Sequence, residues 1–333
     1  VYLALAAISC GAEGEAQKSL EQVLMPEGFT HEDFDKYCRI LLNSLVARDG
    51  AGYILDINTL VAIDTAYEVN GDYAQAIKDY YLGNTASMKL ASQEAVDELN
   101  KWTSDRTNGL IDKLFNEPFS GDAVAVLINT VYFLGKWEMP FDEKNNEKKD
   151  FHGTDGDTKQ TFMKQELETS YAKTGTYEVV RLNYMGSAYM DIYLPIEGKT
   201  TDDVLLSLKQ DGEADMEQAK GTLVLPKFEA QSEIQLNDIL KTMGLEAIFE
   251  GGFKGIVKDS ANDIAVSKVF QKAKITVDEK GTEAAAATAI EMEATAVMPS
   301  QMASFNIVAD RPFVYTLNSG SSLLFMGETD FEK

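Results

Sequence analysis

The run from Asp278 to Ala294, DEKGTEAAAATAIEMEA, fits two different secondary structures, and this constrains the fold more than any other feature of the sequence. Its alanine, glutamate and methionine content favours a helix. Its alternation fits a strand equally well, because the glutamates after Gly281 occupy only odd positions of the run. In a sheet, the uncharged even side would be buried and every carboxylate would stay in water. A segment with two available structures is suited to a conformational switch.

The same run resembles the hinge and reactive-centre loop of the inhibitory serpins, and other blocks resemble this family in the family's order. Residues 264–277, IAVSKVFQKAKITV, resemble the strand that feeds the loop, and residues 305–317, FNIVADRPFVYTL, resemble the C-terminal signature. Residues 127–141, LINTVYFLGKWEMPF, are similar to the strand under the site of loop insertion. Two shorter blocks, 223–228 (LVLPKF) and 243–249 (MGLEAIF), match further family motifs. Together the blocks span nearly the whole chain.

The resemblance implies an α+β fold, the serpin fold, with three β-sheets, surrounding helices and an exposed reactive-centre loop at about residues 279–304. Periodicity indicates the same class, since helical patterns come early and strands dominate the second half. Helices are predicted over Val1–Leu24, His31–Ala47, Asp72–Leu82, Ser92–Arg106 and Ile234–Met243. Strands are predicted over Ile54–Ile63, Ala123–Phe133, Tyr189–Leu194, Thr222–Phe228, Ile264–Val277, Phe313–Leu317 and Leu323–Met326.

Domain organisation follows from the resemblance rather than from length. A chain of 333 residues has a prior of about two domains, whereas the resemblance implies a single domain over residues 1–333. The stretch Val1–Cys10 is apolar and runs directly into an amphipathic pattern, without the basic start of a signal peptide. It is also too short to span a membrane. We therefore expect the chain to enter a helix part-way and to lack the first helix of the family.

The net charge of −24 limits the partners. Without a basic stripe the chain is not expected to bind nucleic acid or anionic membranes. Heparin is also an unexpected partner, because the segment His31–Val46, which resembles the heparin-binding helix of the family, carries Glu32, Asp33 and Asp35 against two cations. We expect a monomer whose one partner is a target serine protease, held as a covalent acyl complex.

The cysteines and the lack of sequons bear on location. Cys10 and Cys38 lie in helix-like segments and are predicted to be buried free thiols rather than a disulfide. No Asn-x-Ser/Thr sequon occurs. With a Gln at position 271, where animal serpins commonly have a His, this favours a prokaryotic or otherwise unglycosylated member. The usual location of family members predicts an extracellular protein, and a cytoplasmic location is the alternative.

Catalytic, metal and cofactor motifs are absent from the sequence. His31 lacks the second histidine of a zinc helix, and His152 follows Phe151 in what reads as a polar loop; both are predicted to be surface residues. No Gly-x-Ser-x-Gly elbow is present, and Asp155-Gly156-Asp157 reads as a turn. We therefore expect neither an enzyme nor a cofactor or metal site.

The resemblance implies that the loop is cut by the protease and then inserts as a new strand in the largest sheet. Its hinge maps onto Glu279, Gly281, Thr282, Glu283, Ala284, Ala285, Ala286, Ala287 and Thr288. Rapid insertion needs small, uncharged side chains on the buried side, and Thr282, Ala284 and Ala286 meet that need. This favours an inhibitor over a non-inhibitory storage or binding protein of the same fold, which is the alternative reading; a hydrolase is a distant third.

Family spacing places the scissile bond near Thr295-Ala296, with Ala294 and Val297 at the neighbouring candidate bonds. No Lys or Arg lies between Lys280 and Arg311, so the loop offers nothing to a trypsin-like pocket. Small residues there predict an elastase-like protease, or another one that prefers small or apolar residues. Met292 and Met298 would suit a chymotrypsin-like pocket, but they lie off register.

Three further residues acquire roles by the same resemblance. Trp137 is expected at the top of the main sheet, where the loop first enters. Asn129 and Gln271 are expected to form a hydrogen bond between the strands below it, in place of the histidine–asparagine pair of animal members.

Overall fold

The computed structural model describes residues 1–46, 52–258, 263–282 and 302–331. The helices in these residues are α1 (Tyr2–Ser9), α2 (Gly14–Leu24), α3 (His31–Leu45), α4 (Gly71–Tyr81), α5 (Gln93–Arg106), α6 (Thr201–Asp211) and α7 (Asn237–Thr242). The strands are β1 (Tyr53–Asp64), β2 (Asn84–Met88), β3 (Ala125–Lys136), β4 (Glu147–Gly153), β5 (Gly156–Lys173), β6 (Tyr177–Asn183), β7 (Ala188–Pro195), β8 (Glu217–Pro226), β9 (Phe228–Gln235), β10 (Val266–Asp278), β11 (Gly281–Thr282), β12 (Ala303–Val308), β13 (Phe313–Ser319) and β14 (Ser322–Thr329). None of these helices is long and apolar enough to cross a membrane.

The prediction of one helix over Val1–Leu24 is wrong, because the chain breaks between α1 and α2. A side chain at Gly11 would meet Ile256, whose Cγ1 lies 2.4 Å from the position of an added Cβ. Gly14 adopts a left-handed φ of 60°, which favours glycine. The start of α3 agrees with the sequence, since Thr30 and Asp33 form a capping box.

The described parts of the chain divide into two compact units. The first takes residues from 1–47, 55–132 and 231–274, and the second from 48–54, 133–230 and 275–333. The expectation of a single domain stays a prediction.

A six-stranded sheet has the order β2-β1-β3-β11-β10-β9. In the first unit, β3 and β10 pair in parallel from Val266 opposite Ala125 to Lys272 opposite Thr130. One face of this part of the sheet, including Leu127 and Val269, is buried in a core cluster with α1. The opposite face is buried against α5. Alternate residues of one strand therefore belong to different cores.

The second unit contains the other strands, in the order β12-β8-β5-β6-β7-β13-β14, with β4 paired to β5. The strand β5 is 18 residues long. Its residues 162–171 pair with β8, and its last residues pair with β6. The described strands thus form two sheets, of six and eight strands, where the resemblance implied three. Helices and mixed sheets together agree with the predicted α+β class.

Several elements differ from the sequence predictions. The stretch from Asp142 to Asp150, for which no element was predicted, contains a short 3-10 helix and the first residues of β4. His152 lies in β4 rather than in a loop. Residues 234 and 235 end β9 instead of starting a helix, and α6 was not predicted. A turn does connect β4 and β5, but it is formed by Thr154 and Asp155, and Gly156 already begins β5.

Candidate functional site

The candidate site lies in the second unit, where β11 enters the six-stranded sheet. It contains the sequence-predicted residues Trp137, Glu279, Gly281 and Thr282. The remaining hinge residues, Glu283, Ala284, Ala285, Ala286, Ala287 and Thr288, lie outside the described residues. The same holds for the reactive-bond residues Ala294, Thr295, Ala296 and Val297.

The short strand β11 lies between β3 and β10 and is antiparallel to both. Gly281 pairs with Lys136 and Asp278, and Thr282 pairs with Gly135 and Val277. Gly281 has a φ of 150°, and an added Cβ would lie 1.9 Å from the carbonyl oxygen of Gly135. Only glycine therefore fits at the point where the chain turns into the sheet.

The turn before β11 is formed by Asp278, whose Oδ1 accepts hydrogen bonds from the backbone N–H groups of Lys280 (2.8 Å) and Gly281 (3.2 Å). Trp137 holds the other side of this turn. Its indole N–H donates to the carbonyl oxygen of Asp278 at 2.9 Å, and its backbone N–H donates to that of Lys280 at 2.9 Å. The entry turn is thus fixed from β3 by backbone and side-chain donors.

Thr282 is 1% exposed, and its hydroxyl lies 2.5 Å from the hydroxyl of Tyr184. The Tyr184 ring stacks on Trp137, with ring centroids 4.2 Å apart and an interplanar angle of 19°. Burial raises the pKa of Tyr184, so its hydroxyl stays protonated. Thr282, the first even-numbered residue after Gly281, is therefore buried, and its hydroxyl is hydrogen-bonded to a neutral phenol.

Glu279 is 4% exposed and is held by three groups. Its carboxylate lies 2.9 Å from the ammonium of Lys227 and accepts a hydrogen bond from the Asn146 side chain. Its carbonyl oxygen accepts from the backbone N–H of Phe141 at 2.9 Å. Burial by itself would raise the pKa of Glu279, but the Lys227 and Asn146 hydrogen bonds outweigh it and lower that pKa. A charged, buried Glu279 anchors the residue before the hinge.

Asn129 and Gln271 lie in the first unit as register partners on β3 and β10. Their expected mutual hydrogen bond is not formed, so that prediction is wrong. The amide of Asn129 donates to the carbonyl of Asn58 (3.1 Å) and to the hydroxyl of Thr59 (3.3 Å), and its oxygen accepts from the amino group of Val1 (3.3 Å). Both polar ends of Asn129 are thus directed to groups other than Gln271, which is half-buried.

Sequence reasoning missed Tyr184, Lys227 and Asn146. Lys227 belongs to the LVLPKF block, so its presence was noted without its role. Tyr184 follows β6, and Asn146 precedes β4. Neither stands in a pattern that marks a site, because each reaches the entry turn only through tertiary contacts.

The two histidines lie at the surface, as predicted. His31 and His152 are both exposed. The ring of His152 pairs with Asp157 at 2.9 Å, and this hydrogen bond raises its pKa. Over the described ranges, no group of three His, Cys, Asp or Glu side chains is arranged to hold a metal ion.

Comparison with known proteins gives one family. The family model described as serpin (serine protease inhibitor) matches residues 1–330. An uncharacterized serpin-like protein of Thermococcus kodakarensis is 30% identical over 347 aligned residues, which cover 98% of this chain and 78% of that protein.

Solved structures share the fold. The native state of tengpin, a thermophilic serpin, superposes with a TM-score of 0.87 at 25% identity, covering 99% of this chain and 86% of that one. Human thyroxine-binding globulin in complex with thyroxine has a TM-score of 0.85 at 23% identity, covering 98% and 88% of the two chains. The latter protein binds a small ligand, so the shared fold alone does not separate inhibitors from carriers.

Proposed function

The chain belongs to the serpin family, most of whose members inhibit serine proteases, and we propose that this protein is itself a suicide-substrate inhibitor. The observation that carries the proposal is the position of Gly281 and Thr282, which already pair with both β3 and β10. A strand that begins between two others has a defined path for the residues that follow it.

The proposed mechanism uses the protease's own chemistry. The catalytic serine attacks the exposed loop and forms the ordinary acyl-enzyme. Cleavage frees the hinge, which then enters the six-stranded sheet as a new strand; loop insertion in serpins is an established case of strand addition. Insertion carries the attached protease away and distorts its oxyanion hole, so that deacylation stalls. The protein contributes no catalytic residue.

The register supports this path. Thr282 pairs with Gly135 of β3 and Val277 of β10. If each later residue of the inserting segment pairs with the preceding residue of both strands, Thr288 pairs with Asn129 and Gln271. These two residues are already register partners of each other. Because both flanking strands keep the same offset, an incoming strand exchanges hydrogen bonds without a slip of either neighbour. The hydroxyl of Thr288 would then lie at the same register position as the side-chain amides of Asn129 and Gln271.

The driving force is sufficient. Roughly a dozen new backbone hydrogen bonds, at about 1 kcal/mol net each, give on the order of 10 kcal/mol. This equals the stability of an ordinary domain, about 5–15 kcal/mol, and is enough to distort a protease. Insertion must also outrun deacylation. A hinge that starts inside the sheet avoids the slow first step of finding the seam.

The target we propose is an elastase-like serine protease, cut at or beside Thr295-Ala296. The loop sequence supports this choice, because small residues surround that bond and no Lys or Arg occurs from 281 to 310. A polyanion such as heparin is not part of the proposal. On α3 the Lys36 ammonium lies 2.5 Å from Glu32, and the acidic residues Glu32, Asp33 and Asp35 outnumber the cations Lys36 and Arg39. We propose that the inhibitor acts as a monomer outside the cell.

The test is to mix the full-length protein with a pancreatic-type elastase and analyse the products on a denaturing gel. We expect a band at the summed mass that resists boiling and detergent, and a released peptide whose mass locates the bond near Thr295. Elastase with its catalytic serine blocked is the matched control and should give no adduct. Clean cleavage with fully active elastase, repeated with chymotrypsin and subtilisin, would instead assign the chain to the non-inhibitory members.

A further inference from the structure

The only two cysteines of the sequence lie in the same part of the first unit, although α2 separates them along the chain. Cys10 directly follows α1 and is half-buried, whereas Cys38 lies within α3 and is fully buried. Both are free thiols. The prediction of free thiols is confirmed, and the prediction that both are buried holds fully only for Cys38.

Asp35 connects the two cysteines. Its Oδ1 accepts a hydrogen bond from the thiol of Cys10 at 3.8 Å and from the hydroxyl of Tyr81 at 2.5 Å. Cys38 follows Asp35 by three positions on α3, so the two side chains are neighbours on one helix face. The Tyr81 hydroxyl also acts on both thiols, lowering the pKa of each against the larger effect of burial. Cys10 and Cys38 therefore share Asp35 and Tyr81 as common neighbours.

We propose that Cys10 and Cys38 are a reversible redox pair that exchanges with a small disulfide of the glutathione type. The Cys10 thiolate attacks the small disulfide, forms a mixed disulfide and releases one small thiolate. The Cys38 thiolate then attacks the Cys10 sulfur, which forms the Cys10–Cys38 bond and releases the second small thiolate. The protein loses two protons and two electrons, and the small disulfide is reduced to two thiols. This inference is independent of the proposed function.

The surroundings make the exchange slow and sensitive to pH. The titratable groups facing the thiols are Asp35 on α3, Tyr2 on α1, and Tyr73 and Tyr81 on α4. Burial, followed by the Asp35 carboxylate, raises the pKa of both thiols to about 12. The reactive thiolate is then scarce at neutral pH. As long as the pH is below that pKa, each increase of one pH unit should raise the oxidation rate about tenfold.

The bond would join the end of α1 to α3 and close a loop that contains α2. Closing such a loop restricts the unfolded chain, which raises the thermal midpoint by on the order of 5 °C for a chain of this size. Reduction of the bond would reverse the change. The ratio of small disulfide to small thiol around the protein would therefore determine the stability of this helical part.

The test is to incubate the full-length protein with oxidised glutathione at about pH 9, block remaining thiols with a maleimide and measure the intact mass. We expect the wild type to lose two hydrogens and to yield a linked pair of peptides containing Cys10 and Cys38. The variant Cys38→Ala should stop at a mixed glutathione disulfide, and Cys10→Ala should stay unmodified. A wild type that stops at the mixed disulfide, or that keeps both thiols open to maleimide, would overturn the proposal.

Two controls separate a failed reaction from a failed proposal. The same reagent applied in urea must modify both thiols, which shows that it is active. The thermal midpoint of the oxidised wild type should exceed that of the reduced protein, whereas Cys38→Ala should show no such difference. Equal midpoints for the linked and reduced wild type would contradict the proposed effect on stability.

Discussion

The two ends of the β3–β10 pair differ in what lies between the strands. At Gly135 and Val277, Thr282 separates them and pairs with both. Around Asn129 and Gln271, the strands pair directly with each other. The register between β3 and β10 is the same at both ends. The two ends therefore differ only in whether another strand lies between β3 and β10. One pair of strands is therefore open at one end and closed at the other with the same register.

The contacts at the two ends also differ in kind. The open end is lined by polar anchors: the Asp278 turn, the indole N–H of Trp137 and the buried charge of Glu279. The closed end is flanked by apolar cores on both faces, with Asn129 as its polar element. The open end is thus fixed by specific hydrogen bonds and the closed end by packing, and substitutions should affect them differently.

The largest effect is expected for Thr282→Arg, which puts a charge into the fully buried entry position beside Tyr184. An unpaired buried charge costs at least about 2 kcal/mol, which slows insertion more than about tenfold relative to deacylation. The elastase adduct should give way to cleaved inhibitor on a denaturing gel. Lys280→Ala, at an exposed neighbouring side chain, is the control and should keep the adduct. Unchanged adduct formation by Thr282→Arg would refute the role of this entry position.

Glu279→Gln should destabilise the open end by about 1–3 kcal/mol at pH 7, the range for a lost hydrogen bond to a charged group. The half-exposed Lys227 keeps the value below that of a fully buried ion pair. Because the pKa of Glu279 is lowered from 4.5, its contribution is present above that value and is lost as the pH falls through the folded-state pKa. Urea midpoints of the two proteins should therefore differ at pH 7 and converge once the pH is below the folded-state pKa of Glu279. A difference that is independent of pH would show that the charge is not responsible.

Asn129→Ala and Gln271→Ala separate the two register partners at the closed end. Asn129→Ala leaves the buried Thr59 hydroxyl and the Asn58 carbonyl without a donor, at a cost of about 1–3 kcal/mol. Gln271→Ala removes a half-buried side chain that does not bond to Asn129, so we expect a change within about 0.5 kcal/mol. Equilibrium unfolding in urea measures both. Equal losses from the two variants would mean that the amides act as a pair after all.

Tyr184→Phe is expected to have the smallest effect at the open end. It removes the hydroxyl that bonds Thr282 and keeps the ring stacked on Trp137, for a loss of about 1 kcal/mol. The readout is the fraction of inhibitor that is cleaved without forming an adduct, which should rise a few-fold. The double variant with Thr282→Val should add no further loss, because both changes remove the same bond. If the losses from the two single variants add up in the double variant, the effect of Tyr184→Phe does not come from the bond to Thr282.

The sequence indicated much of this molecule, and the parts it missed have physical causes. The run after Asp278 could be assigned an inward even side because alternation is a local property, and Thr282 is buried accordingly. The break between α1 and α2 was missed because it depends on Gly11 meeting Ile256, which is remote in sequence. The strands β4 and β5 were missed because their half-exposed surfaces carry mixed polar residues, whose periodicity is weak.

Site residues divide in the same way. Trp137 and Glu279 belong to blocks that the family resemblance covers, so their positions were expected. Tyr184 could not be predicted from the sequence, because its role depends on a hydroxyl that contacts Thr282 in β11. The expected bond between Asn129 and Gln271 was wrong because register places residues side by side but does not decide which neighbour a side-chain amide chooses.

The central claim is that Gly281 and Thr282 are the first residues of a strand that completes itself after cleavage. The most direct measurement compares the thermal midpoint of the intact protein with that of the same protein cut in the loop by elastase or subtilisin. About 10 kcal/mol of added stability predicts an increase on the order of 20 °C, together with a change in the fluorescence of Trp137 at the entry point. Equal midpoints for the intact and cleaved proteins would contradict the account.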